Sequence, residues 1–150
     1  MISEASPASR ALLIGIWTVL DANSGHSVRV SRQTWALQIL AEQLYSALPP
    51  DSPIGKAVGD LVDAQRGITV TAVRRVTEDL LHSRYIVARG VGDDAIWEIA
   101  GERRAEVDAM FRALSACEQT ATRRAAHDAV AISEAWSKTF LAAAPTRSLA

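Results

Sequence analysis

Residues 68–100, ITVTAVRRVTEDLLHSRYIVARGVGDDAIWEIA, decide the fold of this chain. The first part of this stretch spaces its apolar residues three and four apart, as an amphipathic helix does. The pattern then changes to alternating β-branched and aromatic residues over 85–89 and 95–99, which predicts two strands joined by a turn at 90–94. The stretch therefore predicts one short helix, a small hairpin and the start of another helix.

The predicted short helix has one apolar side and one polar, basic side. Thr69 or Thr71 can cap its N-terminus. The residues expected to face inward are Val73, Val76 and Leu80, with Leu81 at the margin. At about 100° per residue, the opposite side holds Thr71, Arg75, Glu78 and His82, flanked by Arg74. Two adjacent arginines near the start of such a helix favour contact with nucleic acid.

Three helices are predicted before this stretch, over 8–23, 33–48 and 53–66. The first should end at a Gly25 cap, and the third has an N-cap oxygen followed by proline in Asp51-Ser52-Pro53. Gly59 is a poor helix former, which suggests close packing at that position of the third helix.

One long helix is predicted after the hairpin, from 101 to about 144, with its weakest part at 119–122. Its stripe of small residues, many of them alanines between 121 and 144, should pack against a partner helix. A second copy of the chain would supply that partner most simply, and the alternative is the first helix of the same chain.

Composition indicates one compact soluble domain, since 49% of the 150 residues are apolar and 22% are charged. No apolar run approaches the roughly 18 residues needed to span a bilayer, and we expect no signal peptide and no membrane partner. The single cysteine, Cys117, excludes an internal disulfide and fits a reducing, cytoplasmic location.

The charge of the chain is unevenly distributed. The formal net charge is only −1, but residues 66–89 contain five arginines against Glu78 and Asp79. A local excess of positive charge of this kind can attract phosphate, although arginines can also simply solvate a helix face.

The succession of elements is that of a winged helix-turn-helix, in a mainly α fold with a small β-hairpin wing. We expect a single domain over 1–150, in which residues 28–100 form the winged-helix DNA-binding lobe. Residues 8–24 and 101–144 would form N- and C-terminal dimerisation helices.

Two segments resemble the MarR family of winged-helix transcription regulators: TAVRRVTEDLLHSRYIVAR at 71–89 and WEIAGERRAEV at 97–107. The first is similar to the family's Ser/Thr-x-Val-x-Arg helix, with Arg75 on the family's arginine and Arg74 in place of a second small polar residue. The second is similar to the second wing strand running into the dimerisation helix. The resemblance implies a DNA-binding regulator, such as a repressor, that binds a pseudo-palindromic operator as a homodimer.

DNA contacts are expected from two groups of residues. The N-terminus of the helix at 71–83 would bring short side chains and a guanidinium to base edges. The residues of this group are Thr71, Ala72, Arg74 and Arg75. The candidates for backbone phosphates are Lys56, Arg66, Arg84 and Arg89. The alternative is that some of these cations pair with Glu78, Asp79 or Asp63.

The wing departs from the family pattern because it is acidic. MarR-type wings usually have a basic tip, whereas this turn contains Asp93 and Asp94, with Glu98 on the return strand. Phosphate would repel these carboxylates, which argues against contact between the wing and DNA.

Four tryptophans against two phenylalanines and two tyrosines suggest a site for a small planar effector. The residues proposed for it are Trp17, Trp35 and Trp136, and the alternative is ordinary core or dimer packing. Cys117 is interpreted as a buried thiol in a helical seam rather than as a redox sensor.

No catalytic or metal-binding motif is recognisable. The three histidines lack the spacing of metal ligands, and Glu102, Glu106 and Asp108 alternate with arginines as on a solvated face. We expect no enzyme activity, no metal and no cofactor. Two other functions stay open: a winged-helix adaptor that binds protein, and a ligand-binding dimer that has lost DNA contact.

Overall fold

The computed structural model describes residues 5–22, 30–90 and 96–148, with side chains described for 5–21, 36–90 and 97–132. Within these ranges the fold is mainly helical, with two small antiparallel hairpins. The predicted helix cap at Gly25 lies outside the described residues.

The core is built on two helices, α1 (Pro7–Ala22) and α2 (Val30–Ala47). The apolar spacing that predicted them is confirmed by burial of Leu12, Leu13, Ile16, Leu37, Leu40 and Leu44. The two helices approach closely at Gly15, where an added Cβ would lie 2.9 Å from the Cδ1 of Leu44. The absence of a side chain at Gly15 therefore allows this packing distance.

The third helix, α3 (Pro53–Gly59), is shorter than predicted. Ser52 caps it by accepting a hydrogen bond from the amide of Gly55 at 2.9 Å. The prediction that it continues to residue 66 is wrong, because residues 62–68 form a hairpin instead. Its strands are β1 (Val62–Asp63) and β2 (Gly67–Ile68), with Val62 opposite Ile68.

A local turn explains why this helix stops early. The carboxylate of Asp63 accepts hydrogen bonds from the amides of Gln65 and Arg66, at 2.8 and 3.1 Å. Gly67 then adopts φ of 69°, a conformation that costs glycine little. An aspartate four residues before a glycine suits a three-residue hairpin loop, and here it overrides the helical spacing of the apolar residues.

The glycine of α3 that packs closely is not Gly59, the one predicted from the sequence. An added Cβ at Gly59 would make only ordinary contact, 3.7 Å from the Cε1 of Tyr45. At Gly55 it would lie 2.5 Å from the carbonyl oxygen of Pro49, a backbone atom. Gly55 is therefore the position in α3 where a side chain does not fit.

The basic amphipathic helix is α4 (Val70–His82), and Thr69, one of the two predicted capping residues, is its N-cap. Val73, Val76 and Leu80 are buried, which confirms the inward face. The helix ends in a reverse turn in which the amide of Tyr85 donates to the carbonyl of Leu80 at 3.0 Å. Arg84 in this turn has φ of 61°, in the left-handed region.

The predicted second hairpin is present as β3 (Ile86–Arg89) and β4 (Ile96–Ile99). The strands pair antiparallel, with Ile86 opposite Ile99 and Arg89 opposite Ile96. The tip of this hairpin, at 91–95, lies outside the described residues.

The C-terminal helix is divided into two, and the division differs from the prediction. A short 3-10 turn at Gly101–Arg103 leads into α5 (Arg104–Arg112), and α6 (Ala116–Ser148) follows after a break at 113–115. The amide of Ser115 donates to the carboxylate of Glu118, while the amide of Glu118 donates to the hydroxyl of Ser115. This reciprocal capping starts a new helix at 116, so the weak point predicted at 119–122 is wrong.

The first half of α6 packs along α2 and α1 of its own chain. Ala125, Ala126 and Ala129 are buried in that contact. For the described side chains, the long helix therefore packs on its own chain, on α2 as well as on the first helix that the alternative named. The homodimer stays a prediction. Among the described residues, no helix has the length and apolar character to cross a membrane.

Candidate nucleic-acid interface

The outer face of α4 is the polar surface predicted from the sequence. Thr71, Arg74 and Arg75 are exposed within its first two turns, as are Glu78 and His82 further along. Ala72 is half-buried and lies toward the side of the helix. The N-terminal half of this face therefore presents two guanidinium groups and a hydroxyl to solvent.

The side of α4 next to α1 is fixed by Asp79. Its carboxylate accepts a hydrogen bond from the amide of Ser6 at 3.0 Å, just before the first turn of α1. Burial alone would raise the pKa of Asp79, but hydrogen bonds from Ser9 and Ser6 outweigh burial and hold that pKa below its ordinary value. No local sequence pattern indicates this contact, because its partners are 73 residues apart.

The C-terminal end of α4 is fixed by Arg103. Its Nη2 donates to the carbonyl of Ser83 at 3.2 Å, and its guanidinium lies 4.4 Å from the centre of the Tyr85 ring. Nη1 also lies 3.3 Å from the carboxylate of Glu106. Burial and the nearby Glu106 raise the pKa of Tyr85 above its ordinary value. The interpretation of this segment as a solvated face is therefore wrong for Arg103, which joins α4 to α5.

Three of the four predicted phosphate ligands are free surface cations. Lys56, Arg66 and Arg84 are exposed and have no acidic partner among the described residues. They lie on different elements: Lys56 on α3, Arg66 at the tip of the first hairpin, and Arg84 directly after α4. Because the hairpin precedes α4 and Arg84 follows it, the two arginines flank the helix along the chain.

Arg89, the fourth, is paired with Glu98 across the β3–β4 hairpin. Among the described side chains, none of the other predicted cations forms an ion pair with Glu78, Asp79 or Asp63. Asp63 and Asp79 accept hydrogen bonds from backbone amides. The acidic turn residues Asp93 and Asp94 lie outside the described residues.

Of the three tryptophans proposed for an effector, Trp17 is the one whose side chain the structure describes. Trp17 is half-buried and packs against Phe111, with ring centroids 4.7 Å apart. The side chains of Trp35 and Trp136 lie outside the described residues. The contact of Trp17 with Phe111 favours packing of the tryptophan between α1 and α5.

A groove of about 630 Å³ lies elsewhere, between α2 and the start of α6. Its lining includes Gln43, Ala47, Cys117, Arg124 and Asp128. Cys117 is exposed there, so the prediction of a buried thiol is wrong. The helix break at 113–115 is the physical reason, because it places Cys117 in the first, exposed turn of α6.

Within the described ranges, no cluster of three or more histidine, cysteine, aspartate or glutamate side chains could hold a metal ion. The geometry therefore singles out a surface: an exposed, basic helix face with one free cation before it and another after it. Comparison of the chain with protein-family models, with curated proteins and with solved structures finds no match.

Proposed function

We propose that this chain is a DNA-binding transcription regulator of the winged-helix type, which inserts α4 into the major groove. The observation that carries the proposal is the contrast between the two sides of α4. Val73, Val76 and Leu80 are buried, while Arg74 and Arg75 project from the first two turns into solvent. An α-helix fits the width of the major groove, and arginine can donate two hydrogen bonds to guanine there.

The roles of the residues follow from where they lie. Thr71, Arg74 and Arg75 contact base edges, and half-buried Ala72 approaches them from the side of the helix. Lys56 and Arg84 bind backbone phosphates. Arg89 has no part in this proposal, because Glu98 already neutralises it.

The contacts that hold α4 in the fold support a role in recognition of DNA. Asp79 ties it to the start of α1, and Arg103 ties its C-terminal end to α5. A recognition helix must be held in a fixed orientation for its side chains to discriminate between bases. The Asp79 contact lies on one side of α4 and the Arg103 contact lies at its C-terminal end. Neither covers the outer face of the helix.

A homodimer is part of the proposal, with two copies of α4 reading the two halves of a pseudo-palindrome. The support is the length of α6, which has 33 residues and therefore extends about 50 Å. A small planar effector that shifts the separation of the two α4 helices would make binding ligand-responsive.

Fluorescence anisotropy with a labelled duplex from around the protein's own gene tests the proposal, against a scrambled duplex and at two salt concentrations. We expect selective binding that weakens steeply with salt. Arg75→Ala should lose about tenfold or more in affinity for the own-gene duplex, because a bidentate contact to guanine contributes about 1–3 kcal/mol of discrimination. Arg124→Ala, an exposed arginine on α6, is the matched control and should bind as the wild type does. Equal binding by Arg75→Ala and wild type would show that α4 is not the recognition helix.

A protein-binding adaptor is the second candidate function. Val70 and Leu81 are unusually exposed for apolar residues, at 38% and 37%, and helical geometry places them on the same side of α4. Apolar side chains beside a helix face suit a protein partner better than a phosphate backbone. The adaptor predicts that neither duplex binds at either salt concentration.

A further inference from the structure

The β1–β2 hairpin, between α3 and α4, is held in one conformation by its own hydrogen bonds. Asp63 accepts the amides of both Gln65 and Arg66 through the same oxygen, Oδ1. Gly67 closes the turn with its positive φ, and Val62 pairs with Ile68 below it. The backbone at Arg66 is therefore held in place by contacts within the turn and the strands.

The end of β2 contacts α2 through a hydrogen bond and leads directly into α4. Ile68 is buried, and its carbonyl accepts a hydrogen bond from the Nε2 of Gln38, on α2, at 2.7 Å. The next residue, Thr69, caps α4 by accepting from the amide of Ala72 at 3.2 Å. Arg66 thus lies three residues before the cap of α4, at most about 10 Å along an extended backbone.

The positive charge of Arg66, at the tip of the β1–β2 hairpin, is not neutralised by a described side chain. The guanidinium of Arg66 is exposed and has no acidic partner among the described side chains. Asp63 is the nearest carboxylate in the sequence, and its Oδ1 is occupied by the turn. Across the β3–β4 hairpin, in contrast, Arg89 is neutralised by Glu98. Of these two hairpins, the first offers a free cation next to α4.

We propose that the β1–β2 hairpin is a second DNA-contact element, in which Arg66 binds a backbone phosphate at the edge of the groove that α4 enters. The inference rests on the proposed function and adds to it a surface that the sequence pattern assigned to a helix. The partner is the phosphate backbone of duplex DNA, so the contact adds affinity without sequence preference. The hairpin takes the role that the acidic, ion-paired wing is poorly suited to perform.

A salt titration of DNA binding by the full chain tests this proposal. Wild type, Arg66→Ala, Arg66→Lys and Arg89→Ala are compared on the own-gene duplex and on the scrambled duplex. Loss of one phosphate contact should lower the slope of log affinity against log salt by about 0.9. We expect that loss for Arg66→Ala on both duplexes, with the ratio between the two duplexes unchanged. Arg66→Lys should retain most of the slope, and Arg89→Ala should match the wild type.

Each other outcome separates the inference from the function on which it rests. If the wild type binds DNA and Arg66→Ala has the same slope, the hairpin proposal is wrong and the role of α4 stands. If Arg89→Ala alone loses slope, the wing makes the phosphate contact and the hairpin proposal is again wrong. If the wild type binds neither duplex, the proposed function fails and takes the hairpin contact with it. Circular dichroism of Arg66→Ala checks that the exposed substitution leaves the fold intact.

Discussion

The carboxylate of Asp79 accepts a hydrogen bond from the backbone amide of Ser6, at 3.0 Å, across 73 residues of sequence. The contact places a negative charge at the N-terminus of α1, where the helix dipole is positive. It also ties α1 to the side of α4, so the orientation of the exposed basic face depends on the first helix of the chain.

Asp79→Ala should lower the free energy of unfolding by about 1 kcal/mol, the usual contribution of one such hydrogen bond. Glu78→Ala is the matched control, because Glu78 is exposed on the same helix and the substitution changes helix propensity in the same direction. Chemical denaturation of the three proteins near neutral pH measures the difference. Equal stability of the two variants would show that the Asp79–Ser6 contact contributes nothing.

The same contact should make stability depend on acid pH. The pKa of Asp79 is lowered in the folded state, so its contribution is present above the unfolded pKa, near 3.9, and is lost as the pH falls through the folded value. The difference in unfolding free energy between wild type and Asp79→Ala should therefore shrink below about pH 4. A difference that stays constant down to the lowest pH at which both proteins fold would contradict this.

Arg84 occupies a backbone conformation that favours glycine. Its φ of 61° comes directly after α4, in a turn where most helices that end this way have glycine. Arg84→Gly should raise the free energy of unfolding by about 0.5–1 kcal/mol. Relief of the contact between Cβ and the backbone, about 1–2 kcal/mol, exceeds the entropy that glycine adds to the unfolded chain. If Arg84 also binds phosphate, the same variant should bind DNA less tightly, so stability and affinity change in opposite directions.

Arg84→Lys is the control for this pair of measurements, since it retains both the positive charge and the side chain at positive φ. It should leave melting temperature and the salt dependence of DNA binding close to the wild-type values. A lower melting temperature for Arg84→Gly would mean that the arginine side chain makes a stabilising contact that outweighs the cost of its backbone conformation.

Sequence pattern was sufficient where the local signals agreed with one another. Leu37, Leu40 and Leu44 recur at helical spacing and are buried, and Thr69 caps α4 as its position before the apolar stripe indicated. The two strands at 86–89 and 96–99 followed from their period-two pattern. In each case propensity, spacing and end signals agreed.

Sequence pattern failed where two local signals competed. Leu61 and Val62 continue the helical spacing of α3, but Asp63 and Gly67 favour a turn, and the hydrogen bonds of the Asp63 carboxylate decide between them. Ser115 and Glu118 form a capping box that the sequence displays, yet the segment was predicted as one long helix with its weakest part at 119–122.

Contacts between distant residues had no sequence signal at all. Arg103 was interpreted as part of a solvated face, because nothing in its neighbourhood indicates that Ser83 and Tyr85 lie beside it. The candidate site was therefore predictable as a helix face, and its supports on α1 and α5 required the structure.

Substitution of alanine for two glycines of α3 should change stability differently. At Gly55 a Cβ would lie 2.5 Å from the carbonyl oxygen of Pro49, so the backbone must move, and Gly55→Ala should cost about 1–3 kcal/mol. At Gly59 a Cβ would lie 3.7 Å from Tyr45, an ordinary contact, and alanine is the better helix former. Gly59→Ala should be neutral or stabilising by up to about 1 kcal/mol. Thermal unfolding of both variants measures this, and destabilisation by Gly59→Ala as large as that by Gly55→Ala would contradict the packing described for α3.

Arg103 and Arg104 offer a matched pair for testing how α4 is held. Arg103 donates to the carbonyl of Ser83 and stacks on Tyr85, whereas its neighbour Arg104 is exposed. A lysine retains the charge but cannot reproduce the planar stack together with directed hydrogen bonds to both Ser83 and Glu106. Arg103→Lys should therefore lower the free energy of unfolding by about 1 kcal/mol, and Arg104→Lys should leave it unchanged. Hydrogen exchange adds a local measurement, since loss of the Ser83 contact should increase exchange at the amides of Arg84 and Tyr85, which close the end of α4. Equal exchange at these amides in both variants would show that the turn after α4 holds its shape without Arg103.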